Sequence, residues 1–119
     1  MRVYVETYGC QMNVADSDLM RGMMSEAGHD TTDDPASADV ILVNTCAVRE
    51  HAEERVFGRM TQLLRYKNAN PDLLLGLAGC MAEHLKERIL DRLPFIDLVV
   101  GPDAYRRLPA LVAEAGYGD

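Results

Sequence analysis

The chain has 119 residues, 48% of them hydrophobic, which is enough for one domain with a real core and too few for two. Its formal charge of −7 at pH 7 argues against a stand-alone RNA binder, because a domain that grips phosphates by itself presents a basic face. One basic edge, or a partner domain that does the gripping, stays open. No apolar run approaches the ~18 residues of a membrane span, and Met1-Arg2 leads straight into Val3-Tyr4-Val5 with no signal-peptide core, so the expectation is a cytoplasmic protein with no membrane partner.

In chain order, Val3-Tyr4-Val5 reads as a strand ending at Thr7-Tyr8-Gly9-Cys10. A helix follows, with Asn13 as its N-cap, Asp16 three residues on, and an apolar stripe through Leu19, Met20, Met23, Met24 and Ala27. Gly28 stops it as a C′ residue. The stretch His29 to Asp39 is polar and acidic, with room for one short edge strand near Asp30–Thr32 and little else. Val40-Ile41-Leu42-Val43 is a continuous apolar run, the mark of a strand buried on both faces, and it ends at Asn44-Thr45-Cys46.

A long helix is expected over Val48 to Tyr66, with Ala52, Val56, Met60, Leu63 and Leu64 inward and Asn68-Ala69-Asn70-Pro71 as its break. Leu73 to Ala78 is the next buried strand, running into Gly79-Cys80. A helix from Ala82 to Arg92 buries Leu85, Ile89 and Leu93 and stops before Pro94. Ile96 to Val100 forms the last strand. Asp103 caps a final helix, in which Pro109 either starts a fresh turn or introduces a kink. Strands alternating with helices define an α/β fold, three-layered and doubly wound. A mainly parallel five-stranded sheet, order 2-1-3-4-5, carries helices on both faces.

Three cysteines in a chain read as cytoplasmic make structural disulfides improbable. Taken alone they fit three buried thiols acting as small hydrophobes. Their position argues otherwise. Cys10, Cys46 and Cys80 each sit between the C-terminal end of a strand and a helix, and in the order 2-1-3-4-5 those strands are neighbours, ~4.8 Å apart. That edge is where open α/β sheets bind ligands. A helix start lowers the pKa of a nearby thiol, and the thiolate is the metal-binding form. Gly9 and Gly79 allow a tight turn directly before two of the cysteines.

Three thiolates suit a soft metal or a cluster. A zinc site of Cys10, Cys46, Cys80 and His84 is one alternative, since His84 follows Cys80 by four residues. A thiol redox domain using two cysteines within disulfide reach is another. A cubane held by three cysteines leaves one iron open to an outside group, and that points to chemistry rather than electron transfer. Met12 and Met81 either shield such a site or fill core. Asn13 and Asn44 either orient loops or cap helices. Arg49 and Glu50 face a partner or only solvent. No dinucleotide or Walker motif is present.

Thr7-Tyr8-Gly9-Cys10-Gln11-Met12-Asn13, Asn44-Thr45-Cys46-Ala47-Val48-Arg49-Glu50 and Gly79-Cys80-Met81-Ala82-Glu83 resemble the three cysteine motifs of the radical-SAM methylthiotransferases. The likeness extends to Val99-Val100-Gly101-Pro102. Gln11 and Met12 resemble the branch that modifies isopentenylated adenosine in tRNA rather than the branch acting on a ribosomal protein, with the threonylcarbamoyladenosine-modifying branch as the alternative. The resemblance implies that residues 1–116 are the N-terminal cluster-binding domain and that 117–119 begin a linker. It implies that Cys10, Cys46 and Cys80 bind an auxiliary 4Fe–4S cluster serving sulfur or methylthio transfer to carbon 2 of isopentenylated adenosine in tRNA. The family's radical-SAM domain, with a Cys-x-x-x-Cys-x-x-Cys motif, S-adenosylmethionine and a second 4Fe–4S cluster, is not in this sequence, nor is its RNA-binding domain. These residues alone are therefore expected to hold no catalytic residue and to be inactive.

Overall fold

The strand Val40–Thr45 is the centre of the molecule, and its sequence explains why. Val40, Ile41, Leu42 and Val43 are fully buried, as an unbroken β-branched and leucine run must be when both faces of a parallel sheet are covered. The computed structural model describes residues 2–8, 11–45, 50–79, 89 and 91–117. Among the described residues the strands are β1 (Arg2–Tyr8), β2 (Asp30–Thr31), β3 (Val40–Thr45), β4 (Leu74–Ala78) and β5 (Leu98–Val100), and the helices with described bounds are α1 (Gln11–Glu26), α2 (Glu50–Ala69) and α3 (Leu108–Tyr117). Ile89, Asp91 and Arg92 are also helical, and the rest of the helix expected over 82–92 lies outside the described residues. The five strands form one sheet in the order β2-β1-β3-β4-β5, and every pairing is parallel. The expected α/β fold and strand order are therefore the observed ones.

Alternation along the strands separates two cores. Ile41, Val43, Leu75 and Leu77 pack with Val56, Phe57, Met60 and Leu63 of α2 and with Ile89 and Leu93. Val3, Val5, Val40, Leu42, Leu98 and Val100 face the other way, toward Met20 and Met24 of α1 and Leu108 and Val112 of α3. Each of these buried aliphatic or methionine side chains contributes roughly 1.5–3 kcal/mol relative to exposure. No helix among the described residues is long and apolar enough to cross a membrane.

Several local expectations need correction. Helix α1 begins at Gln11, so Asn13 lies inside its first turn rather than capping it. Leu19 is 47% exposed, at the border of a stripe that Met20 and Met24 fill. Ala27 lies beyond the helix and is exposed. Gly28 does end α1: its φ is 94°, its N–H donates to the Ser25 carbonyl and that of His29 to the Met24 carbonyl, both at 3.0 Å, a Schellman closure.

The acidic stretch also holds a short 3₁₀ turn at Pro35–Ser37, where Asp34 accepts from the Ala36 N–H at 3.0 Å. Helix α2 runs on to Ala69, and Asn70 then closes a turn by accepting from the Asp72 N–H. The last strand begins at Leu98 rather than Ile96. Gly101, not Asp103, is the N-cap of the turn after it, with Pro102 at the first position. That 3₁₀ segment, Pro102–Arg107, becomes α3 at Leu108, so Pro109 starts a fresh turn, and the helix continues through Gly116 and Tyr117.

Asp97 fastens the opposite end of the sheet. Its Oδ2 lies 2.6 Å from Lys67 Nζ and accepts from the Leu75 N–H at 2.9 Å, while its own N–H donates to the Leu75 carbonyl at 2.8 Å. Both side chains are about one-fifth exposed. Asp97→Ala is expected to cost about 1–2 kcal/mol, since charged hydrogen bonds are worth more than neutral ones but solvent screens this pair. A lowered urea midpoint with unchanged slope is the signature.

Across the α2 face, Glu6 receives Arg59 in a fork, with Nε at 2.8 Å from Oε2 and Nη2 at 2.9 Å from Oε1, and the Tyr4 hydroxyl donates to Oε1 at 2.8 Å. Burial first, then the hydrogen bond and negative charge of Glu6, hold the Tyr4 pKa above its ordinary 10.0, against a counteracting pull from Arg59. The folded value exceeds the unfolded one, so this contribution to stability is complete below the ordinary tyrosine range and is lost as pH rises through the folded value. Absorbance titration of phenolate should show a step above 10.0 that Tyr4→Phe removes.

Candidate functional site

Three neighbouring strands end level with one another. Tyr8, the last residue of β1, pairs with Thr45, the last of β3, and Asn44 of β3 pairs with Ala78, the last of β4. Beyond them the sequence reads Gly9-Cys10, Cys46 and Gly79-Cys80. The three cysteines, together with His84, Met81 and Arg49, lie outside the described residues. Met12, Asn13, Glu50 and His51 are helical positions. Among the described residues, no group of His, Cys, Asp and Glu side chains is arranged to hold a metal ion.

What the structure does describe is the base of this edge, and it is polar and closed. Asn44, Thr45 and Ser17 are completely buried. The Asn44 amide donates from Nδ2 to Ser17 Oγ at 3.0 Å, and the Tyr105 hydroxyl donates to Asn44 Oδ1 at 3.3 Å. Ser17 Oγ and Thr7 Oγ1 share a hydrogen bond of 2.6 Å. Four elements are thereby joined: β1 through Thr7, α1 through Ser17, β3 through Asn44 and the turn after β5 through Tyr105. Burying the Asn44 amide and the hydroxyls of Ser17 and Tyr105 is costly unless they are satisfied, and these bonds, with half-buried Thr7 beside Ser17, supply partners.

Gly79 completes the base. Its φ is 106°, its N–H donates to the Val100 carbonyl at 3.0 Å, and it lies against β3 with no room for a side chain. A Cβ there would collide with the Thr45 carbonyl oxygen and stand 2.8 Å from Asn44 Oδ1. The need for glycine before Cys80 thus comes from the neighbouring strand. Asn44, singled out in the sequence as a loop-orienting or capping residue, is the hub of this network. Ser17 and Tyr105 carried no sequence signal. The only available hint was a serine placed three residues before Met20 on the inner side of α1.

The fold is an all-parallel doubly wound sheet, an architecture in which ligands commonly bind outside the C-terminal ends of the strands. Residues 2–101 match the uncharacterized protein family UPF0004, and the chain belongs to that family. Among curated proteins it is similar to the tRNA-2-methylthio-N(6)-dimethylallyladenosine synthase of Amoebophilus asiaticus, 49% identical over 98% of this chain and 24% of the relative. Proteins of the same name match from Chloroherpeton thalassium, 48% identical over 97% of this chain and 26% of the relative, and from Bacillus licheniformis, 47% identical over 96% and 23%. The chain spans about a quarter of the length of these relatives.

Proposed function

We propose that these residues are the cluster-binding N-terminal part of a tRNA methylthiotransferase, in which Cys10, Cys46 and Cys80 hold one 4Fe–4S cluster and leave one iron without a protein thiolate. The observation that carries this reading is the level ending of β1, β3 and β4, each within two residues of a cysteine in the sequence. Adjacent strands lie ~4.8 Å apart, so the outer two junctions start about 10 Å apart, a gap that short loops can close. The donor set also fits: three soft thiols suit iron and sulfide better than hard cations. Helix α1 starts at Gln11, directly after Cys10, and its free N–H groups favour the thiolate form there.

The bound cluster would supply an open iron at which a sulfur-bearing group can be held. The protein's part is to keep three thiolates at fixed spacing on a closed, water-excluding base. The names of the relatives support tRNA as substrate, with dimethylallyladenosine as the modified base and carbon 2 as the position that gains the methylthio group. In this reading the longer protein is a cytoplasmic enzyme. Its own radical-SAM domain binds S-adenosylmethionine and a second 4Fe–4S cluster, and residues 117–119 lead toward it from a domain of residues 1–116. All three cysteines of these 119 residues are then committed to the auxiliary cluster, so this domain does not turn over alone.

Anaerobic reconstitution with iron and sulfide tests the proposal. The expected product has about four irons and four sulfides per chain and the broad visible absorption of a cubane. Tight, colourless zinc binding in place of iron would replace this reading with a structural zinc module. A reversible disulfide between two of the cysteines in metal-free, unreconstituted protein would favour thiol redox chemistry only if the same chain also failed to take up iron.

A further inference from the structure

Asn44 is linked, directly or through Ser17, to the residues that precede each cysteine. It stands two residues before Cys46 on β3, and its Nδ2 reaches Ser17 of α1, the helix that follows Cys10. Through Ser17 it is linked to Thr7, three residues before Cys10 on β1. Its Oδ1 faces the backbone of Gly79, the residue before Cys80, closely enough that a Cβ there would lie 2.8 Å away, and it accepts from Tyr105 beyond β5. Ordinary sheet pairing already aligns the three strands, so a buried amide is not needed to align them. A side chain that holds two polar partners in fixed directions specifies one arrangement, whereas an apolar residue of similar volume would tolerate several.

We propose that Asn44, held by Ser17 and Tyr105, is a positioning residue that sets the three cysteine junctions at the spacing one metal cluster requires. The inference rests on the cluster reading above. Groups that orient metal ligands without touching the metal commonly control affinity about 10- to 100-fold. The chemistry asked of Asn44 is therefore retention of the cluster. No reacting atom lies on it.

The test compares chelator-driven bleaching of reconstituted protein in Asn44→Ala, Ser17→Ala and Tyr105→Phe with that in Asp97→Ala, which weakens the same sheet from its far end. Tyr105→Phe keeps the ring and loses one hydrogen bond of 3.3 Å, so at least that variant is expected to fold. Cluster loss should accelerate about tenfold or more in Asn44→Ala and Ser17→Ala and less in Tyr105→Phe. Asp97→Ala should unfold at lower urea yet bleach at the parent's rate. Equal bleaching of parent and network variants would overturn the inference and leave the cluster reading intact. So would bleaching that simply follows stability, with Asp97→Ala as fast as the others. A parent chain that takes up no iron would overturn both.

Discussion

Gly79→Ala is expected to lower the stability of the domain by about 2–5 kcal/mol, reaching the upper end of what single substitutions do. Two costs combine. A residue with a Cβ in a left-handed conformation loses roughly 1–2 kcal/mol, and Gly79 has φ 106°. Forcing extra volume into a packed site costs typically about 1–3 kcal/mol more, and the atoms in the way are backbone of β3 as well as Asn44 Oδ1, which cannot swing aside like a flexible side chain. Gly28 separates the two terms. Its φ is 94°, but nothing lies within 4 Å of where its Cβ would be, so Gly28→Ala should cost only the conformational part, about 1–2 kcal/mol. Urea unfolding followed by circular dichroism measures both. Equal losses at the two positions would mean that the contact of Gly79 with β3 carries no energy.

The second large effect concerns the metal. Cys10→Ala, Cys46→Ala and Cys80→Ala should each abolish stable cluster assembly, because a cubane left with two protein thiolates has two irons open to solvent or chelator. The three substitutions should be alike in severity, since the ligands act as one unit, and combining two should add little. His84→Ala should leave iron uptake unchanged. If instead His84→Ala matched the cysteine variants and the bound metal were zinc, a closed site of four ligands would be the better description. Measuring metal content together with urea stability separates loss of ligand from loss of fold.

Much of the architecture could be read directly because its causes are local. The unbroken run Val40 to Val43 forces a doubly covered strand, Gly28 ends α1, and strand–helix alternation limits the sheet to a few orders, of which 2-1-3-4-5 is the one observed. What escaped depends on neighbours distant in sequence. Leu19 has helical spacing with Met23 yet is turned outward, because the sheet accommodates only the Met20–Met24 side of the helix. Asp103 resembles an N-cap, but Pro102 draws the turn to start two residues earlier, with Gly101 as its cap. Ser17 and Tyr105 are unremarkable in sequence. They become informative only when β3 brings Asn44 between them, 27 and 61 residues away. For the candidate site, the cysteines and their strand–helix junctions were legible, whereas the hydrogen-bonded base beneath those junctions was not.

The most direct test of the account is a Mössbauer spectrum of the parent chain reconstituted anaerobically with ⁵⁷Fe and sulfide, recorded before and after adding a small thiol. One cubane per chain is expected, with about three irons alike and one distinct, and only the distinct iron should respond to the thiol. Four equivalent irons indifferent to the thiol, or no iron retained at all, would contradict it.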